Sequence, residues 1–552
     1  MKIKRLLPFF VSVAIANIQL QAQEVSQASI KKALDSIALQ DVVPGGPGIA
    51  TGIIKNGKII YIKYAGYANL ADSLLIGPQS RFNIASNGKQ FTALAIHTLA
   101  KEQRLNLKDD IRKYLPEIYK DAGFKISIEN LLNHSSGIRD VYDLWSLKGI
   151  TWWKQTFSNT DALDLIKNQK ELNFAPGTQY LYSNSNYILL AEIIRRVTQT
   201  SFRKYTDTLF QKLKMPNTGF NDDYKNIQRP VAKPYFNFNT WTGYDWTCDI
   251  VGDGNLFTTL EDQLHWEKII QEKQTGYIAA DLISKSQQPL EGSAIRNYGL
   301  GLEFGKYKNF DYSFHEGTTG AWKATTLRFP QENLSIVTLT NSGKAIPAMQ
   351  SRQMADILLG IGPGHQSYLT KPANTGKHLT QDEVLGAYQT DNHFTFRFEM
   401  RDTSLFLLRA GRNDTRLLRE SANVFHQWND PAFKLEFKPN AQNEMEVTAY
   451  YTTHAPYSLK RVNANWGGYN FEKLNGIFYN AETGVTLTLK HQKDKTYNLS
   501  FGKNNRSGFL VSPTKLSADN YSLEFAQNPQ KTVEELFIDS DRLRKVRFVR
   551  VR

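Results

Sequence analysis

In Phe82-Asn83-Ile84-Ala85-Ser86-Asn87-Gly88-Lys89, a serine stands three residues ahead of a lysine, and Phe91, Leu94, Ala95, Ile96 and Leu99 continue as one mostly apolar helix. At the start of a helix, residues i and i+3 share a face, so the amine of Lys89 can reach Ser86 Oγ. The N–H of Ser86, free at a helix start, can help to bind an oxyanion. The Ser-x-x-Lys pattern recurs at Ser29, Ser201, Ser500 and Ser512 and decides nothing by itself. Only the copy at Ser86 opens a long apolar helix, and a buried helix presenting Ser and Lys on its first turn is what a nucleophile site requires.

Two further stretches can join it. Tyr182-Ser183-Asn184 follows the turn Phe174-Ala175-Pro176-Gly177 and precedes the helical run Tyr187–Ile194. A tyrosine beside a Ser/Lys pair can accept a proton if the cation lowers its pKa from about 10, and an Asn amide can fix a substrate carbonyl. Tyr-x-Asn also occurs at Tyr67, Tyr224, Tyr235 and Tyr307, so context again selects one copy. His315-Glu316-Gly317 lies between Tyr312-Ser313-Phe314 and Thr318-Thr319-Gly320-Ala321-Trp322. A strand edge here can line a cleft, with Gly317 admitting a substrate backbone.

Other chemistries find little support. There is no His-Glu-x-x-His, no close His-x-His, no phosphate-binding loop and no Gly-x-Ser-x-Gly elbow. Cys248 is the sole cysteine, which excludes an intrachain disulfide and any multi-cysteine metal site. We therefore expect neither metal nor organic cofactor. With 41% hydrophobic and 22% charged residues, the 552-residue chain reads as globular and multidomain. The net charge of +14 includes three positive charges from Lys2, Lys4 and Arg5, and spread over this length it does not call for nucleic acid as a partner.

The ordered set Ser86-x-x-Lys89, Tyr182-x-Asn184 and His315-x-Gly317 resembles the serine β-lactamase and penicillin-binding superfamily. The nearest branch is the class C β-lactamase-like one, with its DD-peptidases, esterases and D-aminopeptidases. Leu131-Leu132-Asn133-His134-Ser135-Ser136-Gly137-Ile138, Gly252-x-Gly254-Asn255-Leu256, Tyr298-Gly299-Leu300-Gly301 and Leu339-Thr340-Asn341 add to the resemblance, which covers about residues 30–360. It implies an α/β (α+β) domain with an antiparallel sheet, flanking helices and a cleft between them. Ser86 would be the acylated nucleophile, and Lys89 and Tyr182 would share general-base work, with the sequence leaving open which holds the proton. Asn184 would orient the substrate carbonyl. His315 would shape the cleft and hydrogen-bond the substrate or Tyr182. Backbone N–H groups of Ser86 and Thr318 would form the oxyanion hole. His315 stands where many β-lactamases carry lysine. A histidine near its reference pKa of about 6.5 is mostly neutral at neutral pH, so antibiotic hydrolysis is not the expected main role.

Beyond the polar linker marked by Pro363, Gly364 and Pro372, the chain reads as short strands and turns, and it repeats itself. Gly386 and Gly476 are 90 residues apart in similar contexts, Phe433–Phe437 and Tyr521–Phe525 are 88 apart, and Leu459 and Phe548 are 89 apart. Two homologous β units, 376–465 and 470–552, are expected to be small antiparallel barrels. Their number and position resemble the lipocalin-like domains that follow the catalytic domain in some D-aminopeptidases. At the other end, Lys2, Lys4 and Arg5 precede the apolar run Leu6–Ala16, with Ala22 before Gln23. This reads as a signal peptide over 1–22, leaving a hydrolase domain over 23–362 and an exported protein, periplasmic or secreted, with no transmembrane anchor after processing. The expected substrate is a small peptide, amide or ester, with cell-wall peptides in view. The competing readings are a penicillin-binding-like sensor with little turnover, a β-lactamase, and a carrier that uses the barrels for an apolar ligand.

Overall fold

The computed structural model describes residues 27–361 except 275, and residues 378–551 except 391–393, 410–413, 429, 451–455, 503 and 526–532. The expected leader and the linker around 363–376 lie outside the described residues.

Asn56-Gly57 joins the strands Ile49–Lys55 and Lys58–Ala65. Both turn residues have positive φ, 53° and 71°, as a two-residue hairpin of matching twist demands. This hairpin completes a sheet begun by the far end of the domain. Ile49–Lys55 lies antiparallel to Leu334–Thr340, with Ile49 opposite Thr340. The meander then runs outward through Trp322–Phe329, Phe310–Thr319, Leu302–Tyr307 and Tyr298–Gly299, giving seven antiparallel strands. Leu334–Thr340 is buried along its whole length because both faces of the sheet are covered. On one face Leu34 and Ala38 pack with Ile53, Leu327, Ile336 and Met354 of the helix Pro347–Leu358. On the other, Ala50, Ile54, Ala324, Val337 and Leu339 join a core that contains Phe91, Leu94, Leu189, Ile193 and Leu264 from the helical region.

The helix Lys89–Lys101 crosses the middle of that core and is buried from Lys89 to Leu99. Gly301 permits its close seating. A Cβ there would come within 2.4 Å of Gln90 N, so only glycine lets the sheet edge meet the start of the helix. The second long helix, Asn184–Thr198, is buried from Asn184 to Ile194. The two expected helical runs are thus present, each beginning two or three residues earlier than its apolar periodicity suggests, because polar site residues occupy the first turn.

The C-terminal part forms two closed barrels of eight antiparallel strands each. In each, the first strand pairs with the eighth, as Tyr388 with Arg461 and Tyr479 with Val549, which removes every exposed edge. The repeated segments occupy equivalent places. Phe433–Phe437 and Tyr521–Phe525 lie in sixth strands, and Leu459 and Phe548 lie in eighth strands. Side chains fill the first barrel. Tyr388, Phe398 and Phe437 are fully buried with ring centroids 4.9–5.7 Å apart, which argues against a carrier role at that level of the barrel.

The second barrel packs against the N-terminal domain. Its core residues Phe478, Leu487, Tyr521 and Phe548 belong to one apolar cluster with Val141, Leu144, Trp145, Ala162 and Leu165 of the helices Val141–Leu147 and Asn159–Ile166. Polar contacts border that cluster. Asn504 Nδ2 donates to Gly149 O at 2.8 Å, and Glu482 is paired with the buried Arg139.

Candidate active site

Ser86 lies in a short 3-10 turn, Ala85–Gly88, that runs directly into the helix Lys89–Lys101. Ala85 has φ of 47°, a conformation that costs a non-glycine residue about 1 kcal/mol or more. It is fixed by the bond from its N–H to Asn83 Oδ1 at 2.9 Å. The strained residue directly before the serine sets the direction of the nucleophile turn.

Lys89 Nζ lies 3.0 Å from Ser86 Oγ and 2.9 Å from Asn184 Oδ1, and it also donates to Asp253 O. The side chain is fully buried. Burial, with Asp253 opposing it, Arg542 adding to it and Asp140 opposing it, brings its pKa down to about 7. This geometry bears on which group holds the proton. The ammonium uses three N–H donors on three acceptors. The neutral amine has two N–H bonds and one lone pair. Carbonyl oxygens cannot donate, so the two N–H bonds remain on Asn184 Oδ1 and Asp253 O, and the lone pair faces the hydroxyl of Ser86. Loss of one proton therefore leaves Lys89 with a lone pair aimed at Ser86 Oγ.

Tyr182 stands beside this pair, with Lys89 Nζ 4.9 Å from its ring centroid. Burial raises its pKa well above 10, and the nearby Ser86 only partly opposes that rise. Tyr182 is therefore a neutral phenol at neutral pH, suited to relay a proton rather than to begin by accepting one. Its hydroxyl makes no hydrogen bond among the described residues, which leaves it available to a reacting group. Beside it, the His134 ring packs at a tilt, with ring centroids 4.3 Å apart. His134 Nδ1 accepts from the N–H of Ser183 at 3.2 Å, and burial holds the ring neutral.

Asn184 is oriented by Asp140. Its backbone N and its Nδ2 donate to Asp140 Oδ2 at 2.6 and 3.0 Å, which leaves Asn184 Oδ1 facing Lys89. In this arrangement its side-chain oxygen serves the lysine, whereas the sequence pointed to a substrate carbonyl.

His315 departs from expectation. It is 2% exposed, and its partners are Tyr298 OH at 3.0 Å and Glu316 O at 2.8 Å. A carbonyl can only accept, so Nδ1 carries the proton and Nε2 accepts from Tyr298. Burial, with a smaller contribution from Lys89, lowers its pKa to about 3. Both nitrogens are occupied within the protein, so His315 bonds neither Tyr182 nor a substrate in this arrangement. It locks the strand to Tyr298 instead. Gly317 also acts differently. A Cβ at this position would lie 2.1 Å from Ile84 O, so glycine is required for the close approach of the turn that carries Ser86. That approach sets Thr318 next to the Ser86 turn. The neighbouring strand Leu302–Tyr307 pairs only as far as Phe314, so residues 315–319 have no partner in that strand.

Four residues that sequence reasoning did not single out complete the constellation: Asp140, His134, Asp253 and Arg542. The first three fall in or beside short patterns already noted, the Leu-Leu-Asn-His-Ser-Ser-Gly run and Gly252-x-Gly254. Arg542 had no local signal.

Comparison with known proteins agrees with the fold. The family model described as Beta-lactamase matches residues 38–360. The chain is 29% identical over 378 residues to the protein flp of Staphylococcus aureus (strain MRSA252), covering 65% of this chain and 71% of that protein. It is 28% identical over 331 residues to a D-aminopeptidase of Brucella anthropi, covering 58% of this chain and 61% of that one. Among solved structures, the octameric penicillin-binding protein homologue from Pyrococcus abyssi is similar in fold, with a TM-score of 0.56 at 22% identity over 78% of this chain and 99% of that chain.

Proposed function

Because the chain belongs to the beta-lactamase family of serine hydrolases, we propose that it cleaves an amide or ester bond through an acyl-enzyme on Ser86, with Lys89 as the base. The observation that carries this reading is the set of three partners around Lys89 Nζ, which directs the lone pair of the neutral amine at Ser86 Oγ. Ser86 Oγ attacks the carbonyl carbon and its proton passes to Lys89. The developing oxyanion is held by the N–H groups of Ser86 and Thr318. Tyr182 takes the proton from Lys89 on one side of its hydroxyl and delivers it to the leaving nitrogen or oxygen on the other. Water then cleaves the acyl-enzyme: Lys89 takes its proton and returns it to Ser86 Oγ as that oxygen leaves the acyl carbon. Similarity to a D-aminopeptidase supports peptides or amides of D-amino acids as substrates. The N-terminal sequence supports an exported enzyme that meets such compounds outside the cytoplasm. A screen of p-nitrophenyl esters, D-amino-acid amides, D-Ala-D-Ala peptides and nitrocefin tests the reading. Stoichiometric acylation without turnover on every one of them would replace it with the sensor.

The pH dependence tests the assignment of the base. In the free enzyme, kcat/KM for a neutral ester should rise with pH through a limb near 7, as Lys89 loses its proton. His315 loses its charge at about 3, so it contributes no limb near neutrality. His315→Gln should leave the midpoint of the limb near 7. A shift of that midpoint by a unit or more would return the titration to His315.

A further inference from the structure

The loop 540–545 joins the last two strands of the second barrel, Glu535–Asp539 and Val546–Arg550, and it reaches the active site of the hydrolase domain. Two of that domain's residues pin its backbone. Asp143 Oδ2 accepts from Ser540 Oγ at 2.5 Å and from the N–H of Arg542 at 3.1 Å. Asn173 Nδ2 donates to Arg542 O at 3.1 Å, and its Oδ1 accepts from the N–H of Arg544 at 2.8 Å. The guanidinium so placed lies 5.0 Å from the centroid of the Tyr182 ring. Lys89 Nζ is 4.9 Å from that same centroid.

The charge of Arg542 is permanent. Burial works against it, but Asp140, Tyr182 and Asp143 outweigh burial and raise its pKa. It is not used up inside the protein. Among the described residues its guanidinium has, besides the face of Tyr182, one hydrogen-bond contact, from Nη1 to Asp140 Oδ2 at 3.5 Å, and Asp140 Oδ2 is already committed to the N and Nδ2 of Asn184. The side chain remains 36% exposed. The other N–H donors of the planar fork are therefore free, in the geometry that binds a carboxylate with two bonds. Near the nucleophile, Lys89 is poised about neutrality and His315 is uncharged, so Arg542 carries the permanent positive charge of the site.

We infer that Arg542 is a specificity-determining residue of the active site, supplied by the second barrel, and that it receives a carboxylate on the leaving-group side of the substrate. The inference rests on the serine-hydrolase reading. Tyr182, which protonates the leaving group in that reading, must lie on the leaving-group side, and Arg542 sits over the same ring. The substrate class is then an amide or ester whose departing amine or alcohol bears a carboxylate. The position vacated by a fixed lysine at His315 is answered by a cation from another domain.

The test compares two acetyl esters that differ only in the charge of the leaving group, those of 3-hydroxybenzoate and 3-hydroxybenzamide. In the wild-type protein kcat/KM should favour the carboxylate. In Arg542→Gln the ratio of the two should fall by about 10–100-fold, the effect typical of a lost charge-assisted contact. The loss should appear mainly in KM, and Arg542→Lys should restore part of the ratio. An unchanged ratio, including one produced by equal loss on both esters, would overturn the inference. Fluorophosphonate labelling of Ser86 in the wild type and in Arg542→Gln separates the two levels of the argument. Labelling with an indifferent ratio removes only Arg542, whereas a wild-type protein that neither labels nor hydrolyses either ester removes the serine-hydrolase reading as well.

Discussion

Ser86→Ala should lower turnover by about a thousandfold or more on every substrate and abolish fluorophosphonate labelling, because the bond-forming atom is removed and only binding and the oxyanion donors remain. The fold should be almost unaffected. Among the described residues Ser86 Oγ accepts a hydrogen bond from Lys89 Nζ and lies close to Tyr182, and Lys89 keeps Asn184 Oδ1 and Asp253 O when the hydroxyl is gone. One partly exposed hydrogen bond contributes about 1 kcal/mol, so the thermal midpoint should move by only a few degrees. Matched melting curves with a collapse in kcat are the expected pair of results. Full activity in Ser86→Ala would end the acyl-enzyme mechanism, and a large fall in the melting temperature would mean that the turn before the helix depends on the hydroxyl for its structure.

Much of this was legible because it is local. Ser86 and Lys89 meet through helix geometry over three residues, and the Asn56-Gly57 hairpin is written in two residues that tolerate positive φ. The barrels were visible for another reason. Alternating strands occur twice at a spacing near ninety residues, and a duplicated pattern is readable without knowing which strands pair. The roles of His315 and Gly317 were misread because each depends on a partner distant in sequence or on a close backbone approach. Nothing near His315 announces that Tyr298 will occupy Nε2. A glycine beside a nucleophile suggests space for substrate, whereas here the space is filled by Ile84 O.

Arg542 shows the limit most clearly. It meets Asp140 across 402 residues of chain, and its own neighbourhood reads as an ordinary turn between barrel strands. Its position is set by the docking of a whole domain, so no pattern of residue types around it could signal the site. The docking surface then becomes part of the chemistry, since Asp140 holds Asn184 on one side and faces Arg542 on the other. One carboxylate oxygen thereby joins the amide that orients the base to the cation contributed by the barrel.

Glu482→Ala should release that barrel from the hydrolase domain. Glu482 belongs to the second barrel, and its carboxylate accepts from three groups of the hydrolase domain: the guanidinium of Arg139 and the N–H groups of Lys170 and Glu171, both at 2.9 Å. The Arg139 side chain is 1% exposed, and its only other carboxylate among the described residues is the half-exposed Glu171 at 3.4 Å. Removing Glu482 leaves a buried cation without its main counter-charge and two N–H groups without acceptors, a loss of about 3–5 kcal/mol by analogy with other broken buried pairs. The apolar cluster shared by Val141, Leu144 and Trp145 with Phe478 and Phe548 resists separation, so the expected result is an earlier first transition in urea and faster proteolysis between the domains, without global collapse. Glu482→Gln should lose less, because its amide oxygen can still accept from a backbone N–H. The functional consequence follows from the loop 540–545, which travels with the barrel. Glu482→Ala should keep Ser86 reactive to fluorophosphonate while losing preference for a carboxylate-bearing leaving group. Wild-type urea transitions and an unaltered protease pattern in Glu482→Ala would show that apolar packing alone holds the barrel in place and that the ion pair is incidental to it.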